Sequence, residues 1–315
     1  MFINISLLIV SIATLVFGAE RFVDASSRIA KNLGISDLFA GLTIVALGTS
    51  APEIFVAISS VINSVEAVAI GTIVGSNITN IALIFGVSCF AVSQIKKGVS
   101  LESLIPFLLS FLLFLFALKD LRFSLMESLG FILILFYFLV ILSKERSEVI
   151  EVVSVNLDIV KDFVMLLMGF VLLIIGSNFA VIYAEKFALS IGISEVIIGL
   201  TVLALGTSLP ELAATLSAIF KGKNQMVIGN IVGSNILNLV IIVPIIGIFS
   251  SAIMPIELWE RDSFPLIILT LTFTIIMLFL SRVEVPKFLG AILGFLLISF
   301  YVVYVLNLSS LINVF

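Results

Sequence analysis

The sequence predicts an all-α integral membrane protein whose ten transmembrane helices form two inverted-topology five-helix repeats, with helices 2, 3, 7 and 8 broken near the middle of the membrane. Three observations carry this reading. Of 315 residues, 61% are hydrophobic and 11% charged, less than half the roughly 25% of a soluble domain, which leaves too few ionic groups to cover a globular surface. Ten apolar stretches approach the roughly 20 residues needed to cross about 30 Å of hydrocarbon. The two halves also carry the same sequence blocks at one constant offset, the signature of an internal repeat.

The spans fall near 4–20, 36–62, 67–93, 101–118 and 124–142, then 163–184, 194–220, 225–249, 263–281 and 287–306. The first has no basic residue before Arg21, so it lacks the positive n-region of a cleaved signal peptide and reads as a retained helix. The second and seventh are interrupted by Pro52 and Pro210, which have no N–H and whose rings clash with the carbonyls of Gly48 and Gly206. The third and eighth carry glycines spaced by four (Gly71 and Gly75, Gly229 and Gly233), compatible with close packing and with sliding helices. The sixth repeats the first, since Gly18 maps onto Gly176. The remaining four are plain apolar runs in which many of the 28 Phe residues face lipid or pack.

The distribution of Lys and Arg sets the orientation. Connections after the odd-numbered spans hold twelve of the sixteen basic residues, and those after even-numbered spans hold only Lys119, Arg122, Lys186 and Arg261. Both termini are therefore expected outside, with the 143–162 connection in the cytoplasm of a multi-pass protein of the cell (plasma) membrane. That connection is the most polar stretch of the chain. It separates a first repeat, 1–142, from a second, 163–315, within a single domain.

The repeat is most exact where polar residues interrupt the apolar runs. Residues 41–54, GLTIVALGTSAPEI, match 199–212, GLTVLALGTSLPEL, at 10 of 14 positions, and 69–81 matches 227–239 at 9 of 13. Between 100–118 and its partner only 3 of 19 agree. Each copy holds five spans, an odd number, so the second enters the membrane from the opposite side, as in secondary transporters whose site lies at the midplane where the copies meet.

Glu53 and Glu211 are the only acidic residues near the middle of a span. A carboxylate at that depth costs roughly 2.5–3.5 kcal/mol on insertion scales and marks a functional site by default. The nearest basic residue along the chain is Lys31, 22 positions from Glu53, and Lys221, ten from Glu211, so the neutralising charge is expected to be a bound cation or a proton. The proline breaks are expected to free carbonyls around Ala46 to Thr49 and Ala204 to Thr207, and irregular backbone at this depth is tolerated where it lines a cavity. Thr49 and Ser50 share the helix face of Glu53. Ser76, Asn77 and Asn80 on the third span, and Ser234, Asn235 and Asn238 on the eighth, add hydroxyl and amide oxygens, although Asn77 and Asn235 fit capping of a broken helix equally well. An all-oxygen set suits a hard cation such as Ca²⁺, which takes six to eight oxygens. Two glutamates neutralise one Ca²⁺ or accept two or more Na⁺.

Other classes are disfavoured by composition. With no histidine, Ser-His-Asp catalysis, His-ligated metals and imidazole relays are excluded. The lone Cys89 reads as a small apolar residue, and a net charge of -4 gives no footprint for nucleic acid. A cation channel fits inverted broken helices poorly, and an intramembrane protease would need a Ser-His dyad or paired mid-span aspartates.

The paired GTSxPE blocks, each followed one helix later by GSNxxN, resemble the two alpha-repeats of the cation/Ca²⁺ exchanger superfamily, most closely its prokaryotic Na⁺/Ca²⁺ exchanger branch, over the whole chain. The resemblance implies a secondary antiporter that exchanges Na⁺ for Ca²⁺, with no enzymatic activity, cofactor or obligatory protein partner. An H⁺/Ca²⁺ exchanger on the same fold is the alternative. It further implies that Glu53 and Glu211 are the central Ca²⁺ ligands with the Thr49 and Thr207 carbonyls. Ser50 and Ser208, Ser76 and Ser234, and the Ala46 and Ala204 carbonyls would serve flanking Na⁺ sites, Asn80 and Asn238 would complete the centre, and the first and sixth helices would slide across a rigid core. One departure is Asn238, where prokaryotic relatives and the K⁺-dependent branch often carry Asp; with two acidic groups rather than three, K⁺ co-transport is not expected.

Overall fold

A computed structural model describes residues 2–91, 101–145, 159–191, 204–250, 253–280 and 286–308. The expected start of the seventh span at 194–203 and most of the 143–162 connection lie outside the described residues. Among those described, all regular structure is helical. We number the helices α1 (Phe2–Asn32), α2 (Asp37–Thr49), α3 (Ala51–Ile62), α4 (Glu66–Ala91), α5 (Leu101–Ala117), α6 (Leu125–Glu145), α7 (Ile159–Ser190), α8 (Ala204–Gly206), α9 (Leu209–Phe220), α10 (Asn224–Phe249), α11 (Leu258–Phe279) and α12 (Lys287–Leu308).

Seven of these, α1, α4, α6, α7, α10, α11 and α12, are long and apolar enough to cross a membrane; the α2–α3 pair, bent by 44°, makes an eighth. Two shorter apolar helices, Leu104–Ala117 and Leu209–Phe220, coincide with the fourth expected span and the end of the seventh. The chain is thus a multi-pass helical membrane protein.

Burial separates centre from periphery. The apolar windows of α4 and α10 are 72% and 78% buried, against 22% for α1 and 28% for α6, α7 and α12, so α4 and α10 lie in the core and those four helices at the periphery. α1 and α7 make the most extensive helix pair. Their seam is built on glycine: a Cβ on Gly18 would lie 2.4 Å from the Leu173 nitrogen, and one on Gly169 would lie 2.5 Å from the Phe22 nitrogen. Backbones this close exclude any side chain, so the packing itself requires glycine. In the core, Gly229 and Gly233 of α10 abut Leu38, Gly41 and Leu42 of α2 in the same manner, whereas a Cβ on Gly71 or Gly75 of α4 would meet none of the described residues, so the close-packing expectation holds for the second copy and not for the first.

Helix α1 runs well past the expected 4–20, because hydropathy registers lipid contact alone. Its polar continuation is held by the protein, with Val23, Ala25 and Ala30 fully buried. Arg28 binds Asp162 of α7 at 2.5 Å, and Asp24 binds Lys221 after α9 at 2.5 Å. Lys223, beside Asp24 and partly buried, has its pKa lowered by desolvation, which the Asp24 and Asp37 carboxylates oppose.

Candidate ion-binding site

Four broken or distorted elements meet at the centre. Pro52 and Pro210 fall in the first turns of α3 and α9, where a missing N–H does no harm, so the helices restart there and place Glu53 and Glu211 in those turns. The breaks sit at Ser50 (φ -81°, ψ 3°) and Ser208 (φ -90°, ψ 4°). Three stretches of π-helix flank the centre: Gly41–Val45 before the first break, Asn80–Phe85 beginning at Asn80, and Asn238–Ile242 beginning at Asn238. Such wide turns recur at functional sites because they misalign the backbone ladder and re-aim side chains.

The expected freeing of carbonyls is corrected at one position in each copy, Ala46 and Leu205. The Ala46 carbonyl accepts the Ser50 N–H at 3.0 Å and the Thr49 hydroxyl at 3.3 Å, because the helix closes one last turn before bending. In the second copy Ser208 N–H donates to Leu205 instead, at 3.1 Å. Gly206 O accepts the hydroxyl of Ser177 on α7 at 3.3 Å.

Glu53 and Glu211 are each 1% exposed. The Ser76 hydroxyl donates to Glu53 Oε1 at 3.2 Å, and the Ser50 hydroxyl donates to Glu211 Oε1 at 3.2 Å, the latter from the opposite copy. Ser208 donates to Ser76 at 3.4 Å, and the Asn238 amide donates to Ser76 and to Asn77 Oδ1, both at 3.1 Å. Thr49 lies 3.4 Å from Ser234. Thr49, Ser50, Ser76, Ser208, Ser234, Asn80, Asn238 and Ala46 are all buried with the glutamates, while Thr207 is half-buried at its turn. Ala204 opens α8, and its side chain lies outside the described residues.

None of the ion pairs among the described residues involves either glutamate. This separates them from two other buried acids near helix ends, Asp162 and Asp262. Those are 4% and 2% exposed and are paired with Arg28 and Arg261. Five buried oxygens at the centre have no hydrogen-bond partner among the described residues: Glu53 Oε2, Glu211 Oε2, Asn80 Oδ1, Asn235 Oδ1 and Asn238 Oδ1. Buried polar atoms are nearly always satisfied, and an unsatisfied charged group is costlier still. These five unsatisfied acceptors, two of them carboxylate oxygens, are the kind of oxygen donor that a hard cation takes.

One residue of this network is absent from the sequence-based set. Asn230 of α10 is 1% exposed and accepts the Thr49 hydroxyl at 3.2 Å. Its signal was present, because 72 and 230 are among the few positions at which the GSN blocks differ, Thr in one copy and Asn in the other.

Broken helices around buried, unpaired carboxylates, in a multi-pass helical protein, define a membrane transporter rather than an enzyme. The sodium/calcium exchanger protein profile matches residues 3–144 and 161–309, and the chain belongs to that family. It is 33% identical to the antiporter CaxA of Alkalimonas amylolytica over 288 residues, 88% of this chain and 90% of that one. It is 29% identical to the sodium/calcium exchanger MaX1 of Methanosarcina acetivorans, covering 96% and 98%. A solved structure of the sodium-calcium exchanger NCX_Mj, soaked with 2.5 mM Na⁺ and 0.1 mM Sr²⁺, superposes with a TM-score of 0.78 at 27% identity, covering 96% of this chain and 97% of that one.

Proposed function

We propose that this chain exchanges Na⁺ for Ca²⁺ by alternating access, extruding Ca²⁺ at the expense of the Na⁺ gradient. The observation that carries the reading is the pair of buried glutamates with no basic partner among the described residues, each keeping one unpartnered oxygen. One Ca²⁺ neutralises both. Na⁺ ions neutralise them separately, in smaller sites that borrow the hydroxyls of Ser50, Ser76, Ser208 and Ser234. Because the carboxylates are shared, the two occupancies exclude one another, and exclusion at a site that faces one side at a time yields exchange. The ligand set proposed is Glu53, Glu211, Thr49, Thr207, Ser50, Ser208, Ser76, Ser234, Asn80, Asn238 and the carbonyls of Ala46 and Ala204.

The same proposal takes the chain as ten helices in two inverted repeats, with the termini outside and 143–162 in the cytoplasm of the plasma membrane. A thiol introduced by Ser154→Cys in a Cys89→Ser background should react with impermeant maleimide only from the cytoplasmic side; labelling from outside would reverse the orientation. Proton coupling is the second reading, because unpaired buried carboxylates also bind H⁺. ⁴⁵Ca²⁺ uptake into proteoliposomes under an imposed Na⁺, pH or K⁺ gradient, one at a time, separates them. Uptake driven by Na⁺ alone is expected; uptake driven by pH and indifferent to Na⁺ would transfer the assignment to H⁺.

A further inference from the structure

We infer that Asn230 is a positioning residue of the ion site, holding the first-copy break and the Glu211 turn in one geometry; the inference rests on the proposed function. Its side-chain amide touches three groups on two other elements. Asn230 Oδ1 accepts the Thr49 hydroxyl at the end of α2 at 3.2 Å. Its Nδ2 donates to the Thr215 hydroxyl at 3.0 Å and to the Glu211 carbonyl at 3.4 Å, both on α9. An amide nitrogen has two hydrogens, and here each has its own acceptor, so no donor capacity is left for anything else.

The arrangement ties down the Thr49 hydroxyl. That hydroxyl has one hydrogen and several acceptors around it: Asn230 Oδ1 at 3.2 Å, Ala46 O at 3.3 Å, Ser234 Oγ at 3.4 Å and the Glu211 carboxylate. The contact with Asn230 Oδ1 keeps the hydroxyl at the seam between the end of α2 and α10, beside the site. On the other side, the second Nδ2 hydrogen fastens the backbone of the residue whose carboxylate binds the ion. Asn230 thus acts one bond removed from the ligands, where partners of metal ligands typically set about ten- to a hundredfold in affinity.

The duplicated position shows that the role is not generic to this helix. Thr72, the counterpart of Asn230, is half-buried, and its hydroxyl returns to Val68 O on its own helix at 2.8 Å. Only the second copy turns this position inward, so the clamp is asymmetric although the carboxylates it serves are paired.

The test is Ca²⁺ titration of the purified protein in Na⁺-free buffer by calorimetry, with thermal unfolding of the ion-free protein as the folding control, and Na⁺-driven ⁴⁵Ca²⁺ uptake for the KM and maximal rate. Asn230→Leu should weaken Ca²⁺ binding about tenfold or more and raise KM without reducing the maximal rate per folded molecule. The effect should shrink in a Thr49→Val background, as expected for two residues acting through one contact. Asn230→Thr carries the residue of the matching position, so it provides a second variant compatible with the helix and should show the same loss. Affinity unchanged within about twofold in the folded fraction of either variant, or additive losses with Thr49→Val, would overturn the inference. A wild-type protein that binds Ca²⁺ but does not exchange it would sink the antiporter reading and leave this comparison standing; one that binds no Ca²⁺ would sink both.

Discussion

Among the described residues Glu53 and Glu211 are fully buried carboxylates with no basic partner, and each is replaceable by an isosteric neutral group. Glu53→Gln and Glu211→Gln should each abolish exchange in proteoliposomes while leaving expression and size-exclusion behaviour intact. Retained exchange in either would remove the paired carboxylates from the site. At Asn238 the amide donates to Ser76 and Asn77 and leaves Oδ1 free. Asn238→Asp removes both donors and adds a third negative charge, so ion selectivity or the Na⁺ to Ca²⁺ ratio should shift while protein yield holds. An unchanged ratio and selectivity would place Asn238 outside the site. At this scale the sequence was most informative where charge was at stake, because an unpaired carboxylate in an apolar span has few physical explanations. It marked Asn230 only as a difference between the copies, since a neutral amide costs little to place and only its neighbours show which way it points. It erred on the Ala46 carbonyl, because proline fixes which N–H is missing, not how the preceding turn closes.

The glycine seam between α1 and α7 gives the element scale its sharpest expectation. A methyl group at Gly18 or Gly169 would overlap main-chain atoms of the partner helix, which cannot swing aside as a side chain does. Gly169→Ala should therefore destabilise by about 1–3 kcal/mol, the usual penalty of overpacking, seen as a lower unfolding midpoint in detergent. Ile9→Ala on the lipid face, where Ile9 is 61% exposed, should change little by comparison. Equal midpoints for the two variants would refute the seam. Seven or eight of the expected spans were readable from hydropathy, whereas the π-helical stretches were not, since hydropathy carries no signal for a widened turn inside an apolar run. Asn80–Phe85 and Asn238–Ile242 open at matching positions of the two copies, so the distortion is itself part of the repeat.

At the scale of the whole molecule, ion binding and folding are linked. Any ligand that binds only the folded state stabilises it, by about 2.7 kcal/mol at a concentration a hundred times its Kd. Ca²⁺ should accordingly raise the unfolding midpoint, a chelator should lower it again, and Glu211→Gln should abolish the response; a Ca²⁺-dependent rise that survives in that variant would locate the ion elsewhere. The internal repeat made the overall plan legible, but not the crossing of its parts. Ser50 reaches from the first copy to the second copy's glutamate, and Asn238 reaches back to Ser76 and Asn77. The α1–α7 seam likewise joins one copy to the other. Under the proposed division the chain is a pair of complementary halves joined by the peptide link at 143–162. Residues 1–142 and 163–315 made as separate polypeptides should each be inert, yet should complement one another when co-expressed, because every contact that completes the site lies across their interface or within one partner.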